Sequence, residues 1–379
     1  MRHPSDYAIL QVLPRLETGG VEQVVVELTE AVARTGARAF VASQPGRLVR
    51  AVERAGGKHV EIDLESRNPL KILAASRRLA RLIRARHISL VHAHSRAPAI
   101  AARLAARSCG VPLVTTYHGA YGQRGPLKAR YNAVMASGDR VIAISEFIAD
   151  LVRARHNVGP DRLRVVPGGV DCAKFDPDAV NGGRMQTLAH AWSLPDGAPV
   201  IMLPARLTGW KGQRVAIEAL ARMRHRDPIL LLVGAAQGRE AYRRSLVEAI
   251  RAHDLVPRVF FAGDCTDMPA AYKLADVVVN ASTDPEAFGR TIVEAQAMRR
   301  IAIATDHGAA RETIRDGETG WRTKPGDADD HAATLDAALD LAPDARAAMG
   351  AAAREFVAAF YSITAMQNGN LAVYDELLG

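Results

Sequence analysis

Short runs rich in Val, Ile and Leu alternate along the chain with longer stretches whose apolar residues recur every three or four positions. Strand-like runs fall at Tyr7–Leu13, Arg38–Ala42, Ser89–His92, Pro112–Tyr117, Arg140–Ala143 and Leu163–Val166. Amphipathic helical stretches lie between them, among them Val21–Thr35, Pro69–Arg86 and Glu146–Arg155. This alternation reads as βαβ units around a parallel sheet. The rhythm restarts at Pro199–Leu203 and continues through Ile229–Val233, Val259–Phe261, Val277–Asn280 and Ile301–Ala304. Helical patterns at Gly212–Met223, Arg239–His253 and Arg290–Met298 separate this second set. The stretch from Pro167-Gly168-Gly169 to about Pro199, with Asn181-Gly182-Gly183 inside it, reads as a linker. The pattern predicts two doubly wound α/β domains in tandem, at 1–175 and 190–360. A last helix, at 362–379, is expected to return to the first domain.

A length of 379 residues suits two such domains, at roughly 150 residues each. With 48% hydrophobic and 24% charged residues, the chain is neither disordered nor fibrous. No apolar run approaches the ~18 residues of a spanning helix. No secretion signal is evident at the start, and three widely spaced cysteines form no disulfide framework. The expectation is a cytoplasmic protein. Charge is unevenly placed: residues 1–172 hold 26 Lys and Arg against 14 Asp and Glu, whereas 173–379 hold 23 against 27. A basic first half implies an anionic partner. Aromatic residues make up only 5% of the chain, too few for the stacking platforms of a single-strand nucleic-acid binder.

Candidate chemistry concentrates where strands give way to helices. Gly19-Gly20 follows the first strand and lets backbone amides approach an anion, but the G-x-G-x-x-G spacing of dinucleotide enzymes is absent. His118-Gly119 ends the strand Pro112–Tyr117, where ligands of parallel sheets bind. His92-Ala93-His94 could be half a metal site, but no acid or Cys stands at a supporting spacing. Arg206 and Lys211 sit on a loop after the first strand of the second half, two cations suited to a diphosphate. Glu286 precedes a loop-to-helix junction, Glu294 lies on that helix, and the amides around Phe288-Gly289 form its N-terminus. Asp327-Ala328-Asp329 reads as a helix cap rather than a metal motif. No metal is expected.

Together these residues resemble the retaining family 4 glycosyltransferases of GT-B type. The likeness runs through Gly19-Gly20-Val21-Glu22, His118-Gly119, Ser145-Glu146 and Val166–Asp171. It continues in Arg206 with Lys211-Gly212, Gly263 with Asp267, Glu286–Gly289 with Glu294, and Gly317–Gly320. The resemblance implies two Rossmann-like domains facing across a cleft, the first binding an acceptor and the second a nucleotide-sugar donor. It implies that His118, Glu286, Arg206 and Lys211 are catalytic. Gly19, Gly20, Arg206, Lys211, Asp267, Phe288, Gly289 and Glu294 would bind the donor, with Glu286 at the sugar, Glu294 at the ribose and the two cations at the diphosphate. Ala287, Arg299-Arg300 and Gly308-Ala309 depart from the family pattern, in ways that bear on sugar choice.

The expected activity is transfer of a sugar from a nucleotide sugar to a glycan or lipid-linked acceptor. Retention of configuration needs no cofactor here, and the setting would be lipopolysaccharide or other cell-surface glycan biosynthesis. Arg77, Arg78, Arg81, Arg84 and Arg86 on one helix are expected to touch anionic lipid on the inner face of the cytoplasmic membrane. Two alternatives remain at this point: a nucleotide-sugar epimerase of the same architecture, and a non-catalytic membrane-surface binding protein.

Overall fold

Thirteen strands are seen in the computed structural model, which describes residues 7–17, 19–122 and 125–379. The first seven are β1 (Ala8–Arg15), β2 (Arg38–Gln44), β3 (Lys58–Glu61), β4 (Leu90–Ala93), β5 (Leu113–Tyr117), β6 (Arg140–Ala143) and β7 (Leu163–Val165). They form one sheet in the order β3-β2-β1-β4-β5-β6-β7, and every pair is parallel. Leu10 of β1 stands between Phe40 on β2 and Val91 on β4, so the centre of the sheet is apolar on both sides. β3 was not anticipated. Its sequence, Lys-His-Val-Glu, carries polar residues at three of four positions, which an edge strand tolerates and a central one does not.

The other six strands are β8 (Val200–Pro204), β9 (Ile229–Val233), β10 (Val259–Gly263), β11 (Val277–Asn280), β12 (Ile301–Thr305) and β13 (Trp321–Thr323). Their order is β10-β9-β8-β11-β12-β13, again wholly parallel. Ile201, Leu203, Leu230, Leu232, Val277 and Ile303 are buried in one cluster with Ile217 and Leu220 of the helix Gln213–Arg222. The short β13 was also not anticipated.

The chain divides into two units, Met1–Gly168 with Ile363–Gly379, and Gly169–Ser362. The division falls a few residues before 175, and residues 176–189 belong to the second unit instead of a linker. Asn181-Gly182-Gly183 starts a helix, Gly182–Ala191, because the Asn181 side chain accepts a hydrogen bond from the Arg184 amide. The same residues that mark a turn can cap a helix. Asp327 does so for the helix Ala328–Leu339, accepting from the amides of Asp329 and Asp330.

The helix Ile363–Leu378 belongs to the first unit. Val373 and Tyr374 are buried with Ile9, Leu90, Val114 and Ile142 of the sheet. Arg140 and Arg164 both bond the Glu376 carboxylate, and these hydrogen bonds hold its pKa down to about 2. Gly369 is required, because a Cβ there would lie 2.7 Å from a Val166 methyl. His92 Nδ1 lies 2.7 Å from the Tyr374 hydroxyl and its Nε2 lies 2.6 Å from Thr116 Oγ1.

Burial holds the His92 pKa down to about 3, against an ordinary 6.5. The folded chain therefore takes up this proton later than the unfolded chain does. The contribution to stability is complete above pH 6.5, declines as pH falls below it, and is lost as pH passes through the folded value. The melting temperature should fall between pH 6.5 and 4. Replacing His92→Gln, which keeps a hydrogen-bonding side chain without a titrating one, should flatten that slope. Thermal denaturation across the pH range checks both.

Candidate active site

In each sheet the order reverses at one place, between β1 and β4 and between β8 and β11. Loops leaving the two neighbouring strands there diverge, which leaves a crevice at the strand carboxyl ends. The sequence-derived site residues collect at these two points, and each unit is described by itself.

In the second unit, Arg206 and Lys211 follow β8, and Ser282 to Gly289 follow β11. The two loops are tied together, since the Thr283 amide donates to the Trp210 carbonyl at 2.8 Å. Gly212 adopts a φ of 71°, and a Cβ would stand 1.7 Å from the Ala281 carbonyl oxygen, so only glycine permits this approach. The contact brings the Lys211 ammonium onto Glu286 Oε1, with both side chains mostly buried at 17% and 15% exposure. Ser282 Oγ donates to the same oxygen at 2.6 Å, and Asn280 Nδ2 approaches it at 3.4 Å. Oε1 thus collects these donors, and Oε2 takes none of these bonds. The Glu286 carbonyl accepts from the Ala309 amide, and a Cβ at Gly308 would lie 2.4 Å from that carbonyl oxygen. Gly308-Ala309 therefore keeps the one glycine that this approach needs.

Arg206 differs from Lys211. It is exposed, and its guanidinium has no side-chain partner among the described residues. Its carbonyl is held by Gln213 Nε2, which Tyr242 in turn supports through Gln213 Oε1. Gly289 caps the helix Arg290–Ala297 with a φ of 81°. Phe288 itself is buried against Tyr361, so this residue can offer a ligand its amide but not its ring.

Glu294 is no surface acid. Its carboxylate accepts from the buried Tyr272 hydroxyl at 2.8 Å and from Arg290 Nε at 3.3 Å, and burial raises its pKa. Asp267 caps the helix Met268–Leu274, which carries Tyr272, and pairs with Arg184. That pairing holds its pKa down. The structure thus places Asp267 at the start of the helix that carries Glu294's partner, bonded to Arg184. Tyr272 and Arg184 were missed in the sequence, where nothing about spacing distinguishes them. His307 was missed too. Both its ring nitrogens are buried without a partner among the described residues, and it shares a cavity wall with Glu286, Asn280 and Gly289.

In the first unit, Gly19 and Gly20 open the helix Gly20–Arg34, and a Cβ on Gly19 would meet the Glu22 carboxylate at 2.4 Å. A cavity of about 220 Å³ lies here, lined by Leu13, Pro14, Glu22, His94, Ser95 and His118 among others. His94 Nδ1 lies 3.0 Å from His118 Nε2. Burial holds the His118 pKa down to about 4 and that of His94 well below its ordinary value. The imidazoles are therefore neutral at physiological pH. His92 and His94, read as half of a metal pair, are instead spent on Tyr374, Thr116, His118 and Gln11. Among the described residues, no group of three or more His, Cys, Asp or Glu is placed to hold a metal ion. On the helix Pro69–Arg86, Arg77, Arg78, Arg81, Arg84 and Arg86 all face solvent, as do Leu70 and Leu73. No helix among the described residues is long and apolar enough to cross a membrane.

Comparisons with known proteins agree on one family. The sequence model of Glycosyltransferase Family 4 matches residues 18–174, and that of Glycosyl transferases group 1 matches residues 185–356. The chain is 33% identical to a D-inositol 3-phosphate glycosyltransferase of Salinispora tropica over 62% of its own length, and spans about half, 53%, of that relative. It is 34% identical to the putative glycosyltransferase EpsD of Bacillus subtilis, over 67% of this chain and 68% of the other. A GDP-mannose-dependent alpha-(1-6)-phosphatidylinositol monomannoside mannosyltransferase of Mycolicibacterium smegmatis is 31% identical, over 74% of each chain. Among solved structures, a glycosyltransferase from Rickettsia africae superposes with a TM-score of 0.91 at 33% identity, covering 98% of both chains. The chain belongs to the family 4, group 1 glycosyltransferases and has their GT-B fold of two parallel-sheet, Rossmann-like domains.

Proposed function

We propose that the protein transfers a sugar from a nucleoside-diphosphate donor to a glycan or lipid-linked acceptor, with retention of anomeric configuration and without a metal. The observation that carries this reading is the state of Glu286. One carboxylate oxygen is held by Lys211, Ser282 and Asn280, the other has no partner among the described residues, and Glu286 shares a cavity wall with Gly289, the cap of the helix Arg290–Ala297. A carboxylate fixed this way is oriented toward hydroxyls or developing positive charge, not a free surface acid. On the loop that carries Lys211, Arg206 is an exposed cation with no side-chain partner among the described residues, suited to a diphosphate.

The chemistry follows from those charges. The bond between the anomeric carbon and the diphosphate oxygen breaks, and negative charge grows on the leaving phosphate. Arg206, Lys211 and the amides near Gly289 neutralise that charge, which a metal would do elsewhere. The acceptor hydroxyl attacks the same face of the sugar, and its proton passes to the departing phosphate oxygen. No enzyme nucleophile is then required. Glu294, held by Tyr272, suits the two hydroxyls of a ribose. The GDP-mannose dependence and the lipid-linked acceptor in one relative's name support a nucleotide-sugar donor and a lipid-linked acceptor here.

The basic first half suits an anionic acceptor, in lipopolysaccharide or other cell-surface glycan synthesis. The solvent-facing arginines and leucines of the helix Pro69–Arg86 suit a peripheral position on the inner face of the cytoplasmic membrane.

Four measurements test this reading. Nucleoside diphosphate should raise the melting temperature in the presence of EDTA, and Arg206→Ala, at an exposed side chain, should abolish most of that rise. An undiminished shift in the variant would remove Arg206 from the donor site. Glu286→Gln should lower kcat by about 10²-fold, the scale of one preorganised transition-state contact, with little change in nucleotide affinity. Glu294→Ala should instead weaken nucleotide binding in ground state and transition state alike. Nuclear magnetic resonance of the product linkage should show the donor's configuration, and an inverted product would overturn the mechanism. Vesicles containing anionic lipid should bind the protein and release it as salt rises, whereas equal binding to neutral vesicles would count against the membrane role.

A further inference from the structure

The direction of every proton in the chain from Gln11 to His118 can be read from the hydrogen bonds. Gln11 Nε2 lies 3.2 Å from the Val25 carbonyl oxygen and 3.0 Å from Thr29 Oγ1. The Thr29 hydroxyl already donates to Val25 O at 2.7 Å. A carbonyl oxygen only accepts, so the amide nitrogen of Gln11 must face it, and Gln11 Oε1 must face the other way. That oxygen lies 3.0 Å from His94 Nε2. It too only accepts, so His94 carries its proton on Nε2. Because His94 is neutral, its Nδ1 is bare and accepts. The group facing it, at 3.0 Å, is His118 Nε2, which must therefore donate.

His118 is left with its proton on Nε2 and a lone pair on Nδ1. That atom has no partner among the described residues, and it is not sealed from solvent as other unpartnered ring nitrogens are. His118 lines the 220 Å³ cavity.

We propose that Gln11 and His94 are positioning residues that lock His118 into its Nε2–H tautomer, so that the cavity presents a lone-pair acceptor, Nδ1, to a sugar hydroxyl. The proposal rests on the sugar-transfer reading above. It adds that the site reads a hydroxyl, which can donate, and rejects a group at that position which can only accept. A histidine free to exchange tautomers would offer a donor part of the time and discriminate less. The neutrality this requires comes from burial, which holds the pKa values of all three histidines down. Of the charged and titratable groups around the ring, Glu22 lines the same cavity, while Tyr121 has the Arg96 guanidinium 4.3 Å over its ring and its carbonyl bonded by Arg155. On the far side Tyr117 is bonded to His156.

The test has one readout free of turnover. In ¹⁵N spectra of the imidazole rings, wild-type His118 should show a protonated Nε2 and a bare Nδ1 from pH 8 to 6. Gln11→Met removes the acceptor at the start of the chain, and His118 should then show both tautomers. Its kcat/KM should fall about tenfold, mainly through KM, as expected when one hydrogen bond made in both ground and transition states is lost. Gln11→Glu keeps an acceptor toward His94. The tautomer should persist, while the added charge favours imidazolium and moves the acid limb of the pH–rate profile upward by about one unit. A wild-type His118 protonated on Nδ1 would overturn the relay. So would a single unchanged tautomer in Gln11→Met, or an unmoved acid limb in Gln11→Glu. Absence of any nucleotide-sugar turnover by the wild type would instead overturn the functional reading, with the spectra still deciding the relay.

Discussion

A parallel strand can reach its neighbour only by a crossover that passes over one face of the sheet, and that crossover is nearly always right-handed. In both sheets the chain starts at an inner strand, fills one side, then returns to fill the other. The connection leaving β1 heads toward β2 and the one leaving β4 heads toward β5, so the space above the β1–β4 pair is filled by neither. The same holds above β8 and β11. Most of the candidate site residues follow the strands at those two gaps. Gly19, His94 and His118 surround the first, and Arg206, Lys211, Glu286 and Gly289 the second. Backbone geometry rather than side-chain attraction assembles the site, and the side chains then exploit it.

The two gaps are made polar by different means. In the second unit a cation and a carboxylate lie together, mostly shielded from solvent, and their bond orients one oxygen at the expense of the other. Such a pair contributes orientation more than stability, because burying both charges costs about what their attraction returns. In the first unit the polar groups are neutral imidazoles, kept so by burial. An imidazolium there would add a fixed positive charge. A neutral ring offers a directional lone pair instead, and direction is what distinguishes one hydroxyl of a sugar from another.

Much of this was legible in the residues. The alternation of apolar runs and amphipathic stretches located eleven of the thirteen strands, because buried parallel strands have a composition that little else shares. The two it missed, β3 and β13, are short edge strands with polar residues, where local pattern carries almost no information. Gly182-Gly183 was read as a linker because glycine signals a turn and a helix start alike, and only the Asn181 cap separates the two. Glu286 and Glu294 were singled out by spacing and by family resemblance. Of their supporting residues, Tyr272 comes from another helix, while Ser282 and Asn280 stand four and six residues before Glu286 as short polar side chains that nothing local marks as its partners. Gln11 is the clearest case. A lone glutamine within an apolar strand signals nothing until the strand beside it is known to lead into His94.

The return of the helix Ile363–Leu378 to the first unit bears on how the protein is made. The first unit's core needs Val373 and Tyr374, and those residues are synthesised only after the whole of the second unit. Between Gly168 and Ile363 the ribosome must produce the whole of Gly169–Ser362, 194 residues by their numbering. At translation rates of ~5–20 residues per second, that interval is roughly 10 to 40 seconds. During it the seven-stranded sheet stands with the apolar flank beside Ile9, Leu90 and Val114 uncovered, while the second unit can close its own core. The first unit therefore cannot close its core until the second has been made. A chain stalled before the helix Ile363–Leu378 is made would have one domain with a closed core and one with an open face, a form for chaperones and proteases to engage.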